Sequence, residues 1–238
     1  IRVSGFSDKV ALGEIGPILL DPTVVMRVEM PDPWPESIYW RGKAFDEYDG
    51  RAWKSRYGIW RLPVRNSRGD WILEPTDLSR PMILQKIMLE PIETATVFAA
   101  SQPASIRGLP VFQDHLSQSL RLGSPPQRRL IYTATSQTAP FFLEELKRES
   151  LPVPPAIQAA YLQLPEKSDR IVTLAHSLTK SIRVPYEKIR KIEQFLKENY
   201  RYSLEVEASG REAPIDDFLF TQKKGYCEQY ATAMVLLL

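Results

Sequence analysis

The hydrophobic pattern of this chain changes near residue 137, and the change limits the folds it can adopt. Before that point, apolar and polar residues alternate over short runs that end at proline or glycine, which is typical of half-buried β-strands. After it, apolar residues recur every three or four positions, as along one face of a helix. We therefore predict an α+β fold: an N-terminal all-β module, either a sandwich or a barrel, followed by a helical region.

The β module is predicted from several short strands. The candidates lie at 23–30, 37–43, 51–54, 82–89, 93–99, 116–122 and 129–136. Asp49-Gly50 predicts a hairpin turn, because glycine tolerates the positive φ that a tight turn requires. Residues 1–22 are expected to form an extended leader, since glycine and proline interrupt them too often for a helix.

The 238 residues, of which 43% are apolar, can bury one large core or two smaller ones. We divide the chain into an all-β module at 1–137, a proline-rich linker with short helices at 138–165, and a helical core at 166–238. Ser168 predicts a helix N-cap, and Pro185 suits the first turn of the next helix.

The single cysteine, Cys227, follows Gly-Tyr and opens an apolar run. Four apolar residues recur after it at helical spacing: Ala231, Met234, Val235 and Leu238. We expect Cys227 in the first turn of a central helix that buries those four residues. The positive end of the helix, with Lys223 and Lys224, should lower the thiol pKa. A lone cysteine is more often an inert core residue, but this setting favours a nucleophile.

The sequence gives little support for a histidine base within this chain, for a metal or phosphate site, or for nucleic-acid binding. A cysteine nucleophile needs a base, yet His115 falls in the β module and His176 on an earlier helix, so we interpret both as structural or surface residues. No Cys/His cluster has metal-ligand spacing and no glycine-rich loop suits a phosphate, so neither a metal nor a cofactor is expected. A net charge of +2, with no basic run beyond two residues, argues against nucleic acid as a partner.

Two segments surround and contain the cysteine: 215–220, Ile-Asp-Asp-Phe-Leu-Phe, and 225–233, Gly-Tyr-Cys-Glu-Gln-Tyr-Ala-Thr-Ala. Together they resemble the nucleophile segment of bacterial transglutaminase-like proteins of the membrane-anchored TgpA type. Further similar segments are 4–8, 12–16, 39–42 and 48–53. The resemblance implies a papain-like Cys-His-Asp triad in which Cys227 is the nucleophile and the two partners follow Leu238.

On this resemblance, the expected activity is acyl transfer on protein or peptide carboxamides through a Cys227 thioester. An amine would give crosslinking, and water would give deamidation or hydrolysis. A cysteine protease on the same scaffold and a non-catalytic module that binds a cell-envelope component are the alternatives. The resemblance also implies an extracytoplasmic location in a membrane-anchored protein. No run of 18 apolar residues occurs here, and the chain is expected to be a fragment truncated just after the nucleophile.

Overall fold

The computed structural model describes residues 9–12, 22–31, 38–56, 58–73, 81–137, 143–148, 152–165, 168–206 and 213–238. Most of the predicted leader at 1–22 lies outside these residues, as do Phe141 and Phe142 at the start of the predicted linker helix. The described residues form two compact units. The first holds the described parts of 22–45 and 55–137, and the second holds those of 9–12, 46–54 and 143–238.

The β-rich region contains many short strands. In chain order they are β1 (Lys9–Ala11), β2 (Met26–Glu29), β3 (Trp40–Arg41), β4 (Glu47–Tyr48), β5 (Ala52–Lys54), β6 (Trp60–Arg61), β7 (Val64–Arg65), β8 (Trp71–Ile72), β9 (Met82–Leu89), β10 (Thr96–Val97), β11 (Ala99–Ala100), β12 (Pro103–Arg107), β13 (Phe112–Asp114), β14 (Leu120–Arg121) and β15 (Leu130–Gln137).

Helices dominate the region that follows. They are α1 (Leu143–Leu146), α2 (Pro155–Tyr161), α3 (Asp169–Thr179), α4 (Pro185–Asn199), α5 (Pro214–Asp217), a π-helical turn (Phe218–Gln222) and α6 (Cys227–Leu237), with strands β16 (Arg201–Tyr202) and β17 (Lys224–Gly225) between them. The α+β prediction is confirmed.

Two antiparallel sheets form most of the first unit. One has six strands in the order β2-β9-β15-β12-β8-β7, and the other has four in the order β10-β14-β13-β6. Residues alternate between buried and outward positions along β9, with Ile83, Gln85, Ile87 and Leu89 buried. Buried side chains of both sheets contribute to one core, and neither sheet closes on itself among the described strands. This packing is that of a sandwich rather than a barrel.

The strand predictions differ in accuracy. The strand at 82–89 is confirmed with the predicted bounds, and that at 129–136 lies one residue later. The single strand predicted at 93–99 is wrong, because the chain instead forms β10 and β11, which belong to different sheets. In the predicted strand at 116–122, only Leu120 and Arg121 are extended, since Gln118 adopts a φ of 57° in a turn.

Helix signals in the second unit are confirmed. The Ser168 hydroxyl accepts a hydrogen bond from the Ile171 backbone N–H at 3.4 Å and caps α3, and Pro185 is the first residue of α4. Apolar stripes on both helices enter a separate core together with side chains of the π-helical turn and α6. Its buried members on the helices and the π-helical turn are Ile171, Ile192, Leu196, Ile215, Phe218, Leu219, Ala233, Leu236 and Leu237.

The hairpin of β4 and β5 belongs to the second unit, although its sequence lies inside the predicted β module. Gly50 has a φ of 94° in the predicted turn. Tyr48, which is 4% exposed, stacks on Trp53 with ring centroids 4.9 Å apart. The Trp53 indole N–H donates to the Thr232 hydroxyl on α6 at 2.8 Å. The hairpin therefore packs against the helices and contributes side chains to their core. The predicted domain boundaries after residues 137 and 165 remain predictions.

The indole bond predicts a measurable effect of Trp53→Phe on α6. The substitution keeps an aromatic ring but removes the donor, so the free energy of local opening of α6 should fall by about 1 kcal/mol. Hydrogen exchange of the α6 amides measures this opening. Trp60→Phe, in the first unit, is the matched control and should leave α6 exchange unchanged. Equal α6 exchange in Trp53→Phe and the unsubstituted chain would contradict the prediction.

Candidate functional site

Cys227 is the first residue of α6, as expected, and its side chain is exposed. The chain reaches it through an irregular segment. After the π-helical turn, Lys223 adopts a left-handed conformation with φ 51° and ψ 24°. Strand β17 then pairs in parallel with β16, where the Arg201 and Ser203 N–H groups donate to the carbonyls of Lys223 and Gly225 at 2.9 and 2.8 Å. A positive φ at a lysine and a π-helical turn are costly features that concentrate near functional sites.

The two aspartates of the segment do not cap its helix. α5 begins at Pro214, so Asp216 and Asp217 both lie inside the helix and neither is its N-cap. Their carboxylates have side-chain partners instead. Asp216 accepts from the Ser168 hydroxyl, and Asp217 accepts from the Gln222 amide.

Close packing fixes the start of α6. A Cβ added to Gly225 would lie 2.9 Å from the Phe218 ring and 3.2 Å from Cβ of Gln229. The Gln229 side-chain oxygen accepts the Tyr226 backbone N–H at 3.1 Å, which satisfies a donor that precedes the first helical turn. Neither contact is predicted from the sequence patterns above. A glutamine three residues after an N-cap position is a known capping signal and could have identified Gln229.

The predicted buried face of α6 is wrong. The buried residues are Glu228, Gln229, Thr232, Ala233, Leu236 and Leu237. Cys227 shares the opposite, exposed face with Ala231, Val235 at 45% exposure and Leu238 at 56% exposure, while Met234 is half-buried. Nearly every residue after Tyr230 is apolar, so periodicity alone does not distinguish the two faces. Thr232 and Gln229 are polar but can be buried because each has a hydrogen-bond partner: Thr232 accepts from the Trp53 indole, and Gln229 accepts from the Tyr226 backbone N–H.

The surroundings of Cys227 raise the pKa of its thiol. The largest cause is burial, because protein atoms near the sulfur displace water even though the residue as a whole is exposed. The Glu228 carboxylate raises the pKa further, whereas hydrogen bonds from the Glu228 and Cys227 backbone amides lower it. Lys223 and Lys224 are not among the causes. The lowered pKa is expected for the complete enzyme with its triad histidine and stays a prediction there, whereas the residues that surround Cys227 in this structure raise the pKa.

The histidines lie at the surface. His115 is exposed after β13, where its backbone N–H donates to the Ile59 carbonyl at 3.0 Å. His176 is exposed in the last turn of α3. Neither is among the groups that shift the Cys227 pKa. Within the described ranges, no three His, Cys, Asp or Glu side chains group as metal ligands, and no helix has the length and hydropathy needed to span a membrane.

Comparison with known proteins assigns family models to both parts of the chain. A model described as the TgpA N-terminal domain matches residues 1–142, and one described as the transglutaminase-like superfamily matches residues 172–238. A protein-glutamine gamma-glutamyltransferase from Pseudomonas aeruginosa is 26% identical, over 99% of this chain and 33% of that protein. The uncharacterized protein YebA from Bacillus subtilis is 24% identical, over 100% of this chain and 34% of that protein. The chain thus spans about a third of the length of these curated relatives.

Two solved structures have a similar fold. The crystal structure of the periplasmic domain of TgpA from Pseudomonas aeruginosa matches with a TM-score of 0.78 and 24% identity, covering 99% of this chain and 77% of that one. A crystal structure of the same domain bound to ethylmercury matches with a TM-score of 0.73 and 24% identity, covering 99% and 78%. Both likenesses agree with the observed succession of a β-rich region and helices.

The neighbouring carboxylate predicts how Glu228→Gln changes Cys227. Removing the negative charge while keeping the shape should lower the thiol pKa, because the thiolate no longer faces Glu228. The pH at which alkylation by iodoacetamide is half-maximal should then move down. The exposed Glu187 of α4 offers a control, and Glu187→Gln should leave the alkylation profile unchanged. An unchanged or higher midpoint in Glu228→Gln would contradict the assigned cause.

The close approach at Gly225 predicts that Gly225→Ala is destabilising. The added methyl group must displace the Phe218 ring or the α6 backbone, at a cost of about 1 to 3 kcal/mol. Thermal unfolding followed by circular dichroism measures the loss. Gly123→Ala is the control, since its Cβ would meet Phe112 at an ordinary 3.9 Å. Similar unfolding temperatures for the two variants would show that Phe218 yields without cost.

Proposed function

Because this chain belongs to the TgpA-type transglutaminase-like family, we propose that Cys227 is the nucleophile of an acyl-transfer reaction on protein or peptide carboxamides. The observation that carries the proposal is the position of Cys227. Its side chain is exposed at the first residue of α6, and backbone amides of Glu228 and Cys227 donate to the sulfur. Donors at a helix start favour the charged thiolate over the thiol.

In the proposed reaction, the Cys227 thiolate attacks the carbonyl carbon of a substrate carboxamide. A carbon–sulfur bond forms, the carbon–nitrogen bond breaks, and ammonia leaves after taking up a proton. The thioester is then attacked by an amine, which yields a substituted amide, or by water, which yields a carboxylate; the thiol is regenerated in either case. The exposed face of α6 leaves the sulfur open to a protein substrate.

The raised thiol pKa means that a cationic partner is required to hold the thiolate at neutral pH. His115 and His176 are exposed and neither affects the Cys227 pKa, so we assign neither as the base. The proposed histidine and aspartate of the triad follow Leu238 in the natural protein. Such a histidine would supply the positive charge that offsets burial and the Glu228 carboxylate.

The relatives support a choice of substrate and location. One is named a protein-glutamine gamma-glutamyltransferase, and the solved structures are of a periplasmic domain. We accordingly propose protein-bound glutamine as the acyl donor. The proposed location is extracytoplasmic, as part of a membrane-anchored protein.

A non-catalytic cell-envelope binding module is the second candidate. The raised thiol pKa favours it, because a cysteine with no catalytic role needs no stabilised thiolate. The two candidates differ in one respect that can be measured: whether the natural protein changes the covalent structure of a glutamine peptide.

The proposal predicts the behaviour of Cys227→Ser in the natural full-length protein. Incubation with a glutamine peptide and a labelled primary amine should give an amide-linked product, and the serine variant should lose turnover by about a thousandfold or more. Mass spectrometry separates amine incorporation, deamidation and peptide cleavage, and cleavage would favour the protease alternative. His176→Gln is the control and should retain turnover. An unmodified peptide with the unsubstituted protein would favour the binding module.

A further inference from the structure

One edge of the first unit exposes several large apolar side chains. They lie on and beside β6, β7 and β8, a region that we call the β6–β8 edge and define as residues 58–73. Ile59 is 65% exposed, Leu62 54%, Val64 74% and Ile72 38%. Isolated exposed apolar residues are common, but four within one short segment form a patch that calls for an explanation.

Strand geometry places Val64 and Ile72, two of these side chains, on one face of the β7–β8 pair. Pro63 is buried between exposed Leu62 and Val64, so Leu62 and Val64 lie on the same side of the chain. Val64 is the cross-strand partner of Ile72, so their side chains are neighbours. β7 is an end strand of the six-stranded sheet and β6 an end strand of the four-stranded sheet. The apolar side chains therefore occupy an outer margin of the unit.

The β6–β8 edge carries a strongly positive charge. Five arginines belong to it or contact it: Arg61, Arg65, Arg68, Arg107 and Arg121. Asp70 is the only acidic residue within 58–73, and it accepts hydrogen bonds from Arg107, one of them at 3.0 Å. Asp114, the strand partner of Trp60, is 2% exposed and adds little to the surface.

Two of the arginines lie over tryptophan rings. The Arg121 guanidinium is 4.3 Å from the ring centroid of Trp60, and that of Arg65 is 5.6 Å from the ring centroid of Trp71. Each pair combines a flat amphipathic ring with a charged group. Tryptophan is enriched where an apolar phase meets water, and basic side chains there keep their charge at the polar level.

We propose that the β6–β8 edge binds the surface of an anionic lipid bilayer. The exposed apolar side chains would enter the boundary between headgroups and acyl chains, and the arginines would contact the phosphates. An acidic protein could also attract the arginines. Such a protein would need an apolar surface of its own to cover Ile59, Leu62 and Val64, whereas an anionic bilayer always presents phosphates and an apolar interior together, so the combination of charge and exposed apolar area favours the bilayer.

Vesicle sedimentation with the 238-residue chain tests the proposal. Vesicles with about a third phosphatidylglycerol should bind the chain, and vesicles of phosphatidylcholine alone should bind it much less. Binding should weaken when salt rises from about 50 to about 300 mM, because the Debye length shortens. Lipids with brominated acyl chains should quench tryptophan fluorescence, and less so in a Trp60→Phe, Trp71→Phe double variant.

Matched variants separate the contribution of positive charge to membrane binding from that of the exposed apolar side chains. Arg65→Gln with Arg68→Gln should weaken partitioning about 25-fold, given about fivefold for each basic residue near an anionic surface. Leu62→Ser with Val64→Ser should reduce binding at both salt concentrations. The controls are Val24→Ser and Arg27→Gln, at or beside the opposite edge strand β2, where Val24 is 51% exposed. All the substituted side chains are exposed, so circular dichroism should show unchanged folding.

Three outcomes would overturn the proposal. The first is the absence of binding to anionic vesicles at low salt. The second is equal loss of binding in the patch variants and the controls. The third is binding to a soluble acidic polymer as tight as to vesicles and insensitive to Leu62→Ser with Val64→Ser, which would assign the edge to an acidic macromolecule.

Discussion

The second unit depends on the close approach of Gly225 to Phe218. The space at Gly225 is too small for a methyl group, so the chain passes directly against the Phe218 ring immediately before α6 begins. Phe218 also contacts the rings of Tyr200 and Tyr230, at 5.0 and 5.2 Å between centroids. One aromatic side chain thus connects the end of α4, the π-helical turn and α6. The direction in which Cys227 leaves the core follows from this contact.

Long-range contacts complete the same core. The β4–β5 hairpin contributes Tyr48 and Trp53, and its indole bond reaches Thr232, 179 positions further along the chain. Helical units usually form from local contacts, but this one includes a hairpin from the β-rich region. The described β module and helical unit are therefore interleaved in sequence, although each buries its own core.

Position and reactivity of Cys227 have separate physical causes. Packing at Gly225 and the Gln229 hydrogen bond fix where the sulfur lies. Burial and the Glu228 carboxylate oppose ionisation of the thiol, while two backbone amides favour it. A carboxylate beside a thiol raises the pKa of the thiol, and positive charge nearby lowers it. The nucleophile role that we propose for Cys227 therefore requires the cationic partner that we propose with it.

Local patterns in the sequence were enough to predict the α+β class, strands 82–89 and 129–136, the Ser168 cap, the Asp49-Gly50 turn and the place of Cys227 at a helix start. Each depends on neighbours within a few positions, where backbone preference and periodicity act. Three features needed the tertiary structure: the split of 93–99 between two sheets, the buried face of α6 and the raised pKa of Cys227. An almost uniformly apolar helix has no periodic signal, so Trp53 and the second core decided which face is buried. The pKa depends on the atoms that surround the sulfur, and these come together only when the chain is folded.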